Sequence, residues 1–324
     1  MKEISVTDIE NIRIGQTENK AGATGCTVLI CENGMCAGVD VRGGGPASRE
    51  TPLLDPLMSA QQIHAVVLGG GSAFGLDAAG GVMEYLETHG YGFDVGVTKV
   101  PLVVQSDIFD LTVGDMTARP GHDMGYEAAR VAFEEPDYRD GNYGAGCGAT
   151  VGKICGMEYC MKTGIGSYAV QLGELKIGAV AVLNSLGDVF DHKTGRKIAG
   201  LLAEDRRSFR STLDVMTRSI DVIENKFTGN TVIGAVITNA AFDKARLCKI
   251  AGMAQDGLAR CVCPVHTSAD GDSIYALSVG SVSADSDLVG TLAAEVISCA
   301  IEKAVFSAES AYGFPSAGSL VGAL

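Results

Sequence analysis

The chain of 324 residues is 46% hydrophobic and 20% charged, enough apolar material for one large domain or two ordinary ones. Its formal net charge of −14 argues against nucleic acid and anionic membrane surfaces as partners. Its 43 glycines follow no period, which excludes collagen-like and low-complexity classes.

No apolar run is long enough for a transmembrane helix, and Met1-Lys2-Glu3-Ile4-Ser5 carries no signal-peptide core. The ten cysteines lie mostly in apolar runs, without C-x-x-C spacing or a histidine at zinc-finger distance. Buried thiols in a reducing cytoplasm are expected.

Residues 26–31 and 36–42 predict two strands joined at Glu32-Asn33-Gly34, a hairpin. Gly43-Gly44-Gly45-Pro46 ends it. A short helix is expected over 55–61 and a buried strand over 64–68. Gly69-Gly70-Gly71-Ser72-Ala73-Phe74-Gly75 then opens a helix near 75–89. Strand, glycines and helix resemble a phosphate cradle, but the Lys-Ser/Thr ending of a P-loop is missing. The stretch reads either as a helix start packed closely on a sheet, lining a pocket, or as an anion site.

Residues 100–104 and 107–111 are strand-like, 122–133 predict a helix, and 134–141 a solvated loop. The small-residue run 144–152 ends at Lys153. That lysine is either an exposed residue at a strand edge or a base or charge stabiliser placed where backbone approaches closely. Residues 164–170 and 175–183 predict paired strands that end at Asn184, which is a turn residue or an oxyanion donor. Residues 192–226 are charged and aperiodic, a surface excursion.

Polar Phe227-Thr228-Gly229-Asn230 then meets the apolar run Thr231-Val232-Ile233-Gly234-Ala235-Val236-Ile237-Thr238, a buried strand. Thr231 is a simple strand start, or the point where an N-terminal-nucleophile hydrolase cuts itself. Such a cut leaves a hydroxyl and an α-amine on one residue. A helix follows over 243–260, then a loop over 264–273. There Asp270-Gly271-Asp272 is a turn, a metal site or an acid pair, with too few oxygen ligands for a calcium loop. His266 either hydrogen-bonds its loop or touches the site. A strand at 274–279, a long helix at 286–307 and an irregular tail from 313 complete the chain. His64, His89, His122 and His192 show no ligand spacing, so no metal and no cofactor are expected. Irregular alternation of strands and helices predicts layered α/β, with two mixed sheets between helices.

Six motifs in order resemble the DmpA-type aminopeptidases, a family that includes β-peptidyl aminopeptidases and 6-aminohexanoate oligomer hydrolases. They are Gly25-Cys26-Thr27-Val28, Gly38-Val39-Asp40-Val41-Arg42-Gly43-Gly44, the 70–79 run, the 144–153 run, Asn230-Thr231-Val232-Ile233, and Pro264-Val265-His266-Thr267 with Asp270-Gly271-Asp272. The resemblance covers nearly the whole chain. It implies one domain over 1–324, a four-layer αββα sandwich shared with ornithine acetyltransferase, and oligomers of αβ units. It also implies self-cleavage at Asn230–Thr231 into an α fragment (1–230) and a β fragment (231–324). By resemblance, Thr231 matches the nucleophile, Lys153 the catalytic lysine, Asn184 the oxyanion asparagine, and Asp270 with Asp272 the acidic pair of the branch with a threonine nucleophile. Gly71, Ser72, Phe74 and Phe109 are candidate substrate contacts. Phe109 stands roughly where some members bind the substrate carbonyl with a tyrosine; Tyr126 and Tyr143 are unaligned candidates. The implied activity is hydrolysis of small peptides or amino-acid amides through an acyl-enzyme. Two alternatives are an acyltransferase on the same scaffold and a non-catalytic protein binding an anion at 69–75.

Overall fold

A strand buried on both faces must be apolar at every position, and the run after Thr231 has that character. In the computed structural model, which describes residues 1–218 and 229–320, it lies mid-sheet. Phe227, Thr228, the end of the predicted excursion and the last four tail residues lie outside the described residues.

Among the described residues, ten strands form one continuous mixed sheet. They are β1 (Lys2–Ile4), β2 (Arg13–Asn19), β3 (Thr24–Val41), β4 (Ala47–Arg49), β5 (Ile63–Gly69), β6 (Val103–Asp107), β7 (Ile165–Leu172), β8 (Leu175–Asn184), β9 (Thr231–Ala240) and β10 (Ser273–Val282). Their order is β1-β7-β8-β9-β10-β3-β5-β6-β4, with β2 paired to β3. The helices are α1 (Ala78–Thr88), α2 (His122–Glu134), α3 (Thr212–Thr217), α4 (Lys244–Cys261) and α5 (Ser286–Phe306).

The sheet doubles back because β3 belongs to two layers. Its residues 24–30 pair with β2 and β5, and its residues 36–41 pair with β10. The predicted hairpin is therefore one strand. The register shifts between Ile30 and Met35, and Gly34 takes φ +80°, so Glu32-Asn33-Gly34 bends the strand without reversing it.

Three apolar clusters define the layers. Leu29, Val66, Leu68 and Val104 from one half of the sheet meet Val180, Val182, Ile233, Ala235 and Ile237 from the other. On the far side of β9, Val232 and Val236 pack with residues of α4 and α5. Cys26, Val28, Ala65 and Val67 pack with α1 and α2. The result is the expected α-β-β-α sandwich, and side chains alternate along β9 between two apolar interfaces. The helical layer lies close: a Cβ on Gly257 of α4 would stand 2.1 Å from the Ala294 carbonyl of α5.

Other expectations shift. The helix at 55–61 is absent; a short 3-10 turn covers Thr51–Leu54 instead. Pro56 follows Asp55, which sits at ψ 131°, and a residue before proline is turned from helix. The glycine run enters α1 through a 3-10 turn over Ser72–Asp77. Strand β6 stops at Asp107, leaving Ile108 to Asp110 as loop. No helix among the described residues is long and apolar enough to cross a membrane.

Candidate active site

Strand register brings distant residues together. Antiparallel β8 places Asn184 opposite Thr231. On the other side, β10 runs parallel to β9, and Asp270 bridges to Asn230 just before β10 begins. Lys153 enters after a two-stranded ladder (Thr150–Val151 with Met161–Lys162), and its N–H is held by the Leu186 carbonyl at 3.2 Å. The structure thus gathers Thr231, Asn230, Lys153, Asn184, Asp270 and Asp272, all buried, at one end of the central strands.

Asn184 is fully engaged. Its Oδ1 accepts from Lys153 Nζ at 2.6 Å and from the Thr150 N–H at 3.1 Å. Its Nδ2 donates to the carbonyls of Gly229 at 3.0 Å and Phe109 at 3.2 Å. Donors on one side and acceptors on the other fix which way the amide points.

Lys153 Nζ also donates to the Asn184 carbonyl at 3.3 Å and to the Gly229 carbonyl. Three acceptors suit an ammonium, but burial pulls the lysine down to about 7; Cys160, Asp270 and Asp110 only partly oppose that. Its proton is held loosely near neutrality. Gly229 turns its carbonyl toward both donors at φ +96°, a conformation that favours glycine. The Thr231 hydroxyl donates to the carbonyl oxygen of Asn230, the group on the other side of the predicted bond.

The two aspartates divide their work. Asp272 Oδ1 accepts the Val232 N–H at 2.7 Å, tying down the start of β9. Its Oδ2 accepts the His266 N–H at 3.1 Å and lies 2.9 Å from His266 Nδ1. Asp270 Oδ2 accepts from the Thr267 N–H at 2.7 Å and hydroxyl at 2.5 Å, closing its own turn. Burial and the charge of Asp272 raise the pKa of Asp270. The glycines at 43–45 lie on this loop, with the Gly45 N–H donating to the Asp270 carbonyl at 2.8 Å.

His266 is therefore bound to a site aspartate rather than only to its own loop. It sits at φ +55°, and its Nε2 is buried without a hydrogen-bond partner. Sequence spacing hinted at this contact but did not favour it. The carbonyls of Phe109 and Gly229 and the N–H of Thr150 had no sequence signal, because main-chain groups are present at every residue.

The other candidates divide. The edge of the Phe109 ring lies 3.1 Å from where a Cβ on Gly229 would stand, so it borders the site. Gly71 is tied to the buried carboxylate of Asp110, its N–H donating to Oδ1 at 2.7 Å. Gly70 and Ser72 donate to the carbonyls of Gly25 and Ile108 at 2.9 and 3.0 Å. A glycine loop whose donors are taken by the protein's own oxygens is a packed turn rather than a cradle for an anion. Phe74 is exposed, with the Arg119 guanidinium 3.6 Å from its ring centre.

Gly271 supplies a local test. A Cβ there would stand 2.8 Å from Thr231 Oγ1 and 3.0 Å from the Gly45 carbonyl. Gly271→Ala should displace the hydroxyl and slow amide hydrolysis at least about tenfold, since small misplacements of reacting groups are costly. The thermal midpoint should move by a few degrees at most, and a variant of wild-type activity counts against this geometry.

The model of peptidase family S58 matches residues 5–317. An uncharacterized aminopeptidase of Mycobacterium leprae is 36% identical, the alignment covering 96% of this chain and 92% of the relative. A 6-aminohexanoate-oligomer endohydrolase of Kocuria sp. is 26% identical over 90% of this chain and 82% of its own. The solved L-aminopeptidase D-Ala-esterase/amidase of Ochrobactrum anthropi matches in fold, with a TM-score of 0.69 at 16% identity, over 99% of this chain and 93% of that one. With the family model matching residues 5–317 and a relative 36% identical over 96% of the chain, the chain belongs to peptidase family S58, hydrolases of peptide and amide bonds.

Proposed function

We propose that the chain is a self-processing aminopeptidase or amidase whose nucleophile is Thr231. The observation that carries this reading is the Thr231 hydroxyl on the Asn230 carbonyl, with Lys153 and Asn184 on the next carbonyl upstream. In the intact chain, Thr231 Oγ1 attacks the carbonyl carbon of Asn230. A C–O bond forms, the C–N bond breaks, and the hydroxyl proton ends on the released amine. Water then hydrolyses the ester, leaving a carboxylate on Asn230 and a free α-amine on Thr231.

Removal of Gly229 and Asn230 from this position leaves Lys153 Nζ and Asn184 Nδ2 without the carbonyl they hold. A substrate carbonyl takes that place. Thr231 Oγ1 attacks it, and its proton passes to neutral Lys153 or to the α-amine. Asn184 Nδ2 donates to the oxyanion, the amine leaves with the proton, and water releases the acid from Thr231. Asp272 holds the start of β9 steady through the Val232 N–H. The relatives' names, aminopeptidase and 6-aminohexanoate-oligomer endohydrolase, point to small peptides or amino-acid amides as substrates.

Denaturing electrophoresis with N-terminal sequencing tests the reading directly. The expected smaller fragment begins at Thr231; active protein consisting only of intact chain would refute it. Asn184→Ala should lower kcat about 10²–10³-fold, the usual loss of one oxyanion donor. A change in KM alone would instead make Asn184 a binding residue.

A further inference from the structure

Outside the residues around Thr231, helix α5 carries Glu295, Cys299 and Glu302 at spacings that place them on one face. His192 lies against them, in the loop after the short strand Asp188–Phe190, with its side chain 5% exposed. Its Nδ1 is 2.5 Å from Glu302 Oε1, and its backbone N–H donates to the same oxygen at 2.8 Å. Its Nε2 faces Glu295 Oε1 at 3.3 Å. One ligand atom from each of His192, Glu295 and Cys299 lies within 4.8 Å of the other two.

His192 is held between two carboxylates, Glu302 at Nδ1 and Glu295 at Nε2. The tautomer with its hydrogen on Nδ1 leaves the Nε2 lone pair beside the Glu295 carboxylate, two donor atoms that one cation can share. The thiol at the third corner adds little to a proton but is a strong ligand for a soft or borderline ion. Lys193 Nζ is 3.8 Å from Glu295, but its side chain is 68% exposed, so solvent screens it. Cys261, on the Glu302 side, already donates to the Ser298 carbonyl at 3.7 Å.

We propose that His192 Nε2, a Glu295 carboxylate oxygen and Cys299 Sγ bind one Zn²⁺, with water as fourth ligand and Glu302 fixing the imidazole. Nitrogen and oxygen ligands each about 2.0–2.1 Å from a tetrahedral ion stand about 3.3 Å apart, as Nε2 and Glu295 already do. A carboxylate on the far ring nitrogen is the usual support of a zinc-bound histidine. Binding requires the Cys299 thiol to lose its proton to solvent. The ion ties the 191–196 loop to α5. If the chain is cut at Asn230–Thr231, as proposed above, it also joins the two fragments.

The test uses the full chain, stripped with chelator and titrated with ZnCl₂ by calorimetry and with CoCl₂ by absorption. One Zn²⁺ per chain, a raised thermal midpoint and a thiolate-to-cobalt charge-transfer band are expected. Cys299→Ser should remove the band, and Glu302→Gln should weaken zinc about 10–100-fold with amide hydrolysis unchanged. Cys263, an exposed thiol, is the competing binder, so Cys263→Ser must keep the band. Wild-type protein without the band, or zinc uptake equal to that of His192→Ala, would overturn the proposal; the wild-type arm stands even if a variant fails to fold.

Discussion

Thr231→Ala is expected to run as one intact chain on a denaturing gel and to lose amide hydrolysis by about a million-fold, as when the nucleophile is removed from comparable hydrolases. Alanine removes the hydroxyl that donates to the Asn230 carbonyl and so removes both proposed reactions at once. The fold should survive. The Val232 N–H still reaches Asp272, and Val232, Ile233 and Val236 still fill their two cores. One lost hydrogen bond costs about 1 kcal/mol. Thr231→Ser keeps the hydroxyl and should still cut itself. A Thr231→Ala protein that yields the two fragments, or retains activity, removes Thr231 from the chemistry.

Lys153→Met should slow hydrolysis about 10²–10⁴-fold, the contribution of a general base, and should alter the pH dependence as well. Burial brings the Lys153 pKa down to about 7. A base must be neutral to accept a proton. The rate should therefore climb as pH rises through about 7 and level off above it, because the neutral fraction increases on the alkaline side. Loss of that climb in Lys153→Met assigns it to the lysine. If it persists near pH 7.7–8.0, the usual range of an α-amine, the base is the amine of Thr231 instead. Lys153→Arg should not rescue: a guanidinium keeps its charge and needs more room than the buried position offers.

The order of layers was largely legible in the sequence, because burial on two faces leaves a readable mark. The run after Thr231 is apolar throughout since its alternate residues enter different cores. The bend in β3 was not legible. Asn-Gly supports a reversal as readily as a bulge, and only pairing with distant β5 and β10 decides between them. At the site, Thr231, Lys153, Asn184, Asp270 and Asp272 come from four separate segments, and nothing in their local patterns says that they meet. Family resemblance singled them out, and strand register explains their meeting: Asn184 pairs with Thr231, and Asp270 bridges to Asn230. The contact of His192 with Glu295 and Glu302 spans a hundred residues and has no spacing signature.

The place of β9 bears on reversibility. Residues after 230 supply the adjacent central strands β9 and β10 and both helices of one outer layer, while β8 and β3 on either side come from residues before it. An intact chain finds that arrangement by a search within one molecule. A chain cut at Asn230–Thr231 must find it again as two, each half exposing a strand edge and an apolar face until the other arrives. Processing would thus turn a refoldable protein into one protected only by its unfolding barrier, so its apparent melting point would depend on how fast it is heated.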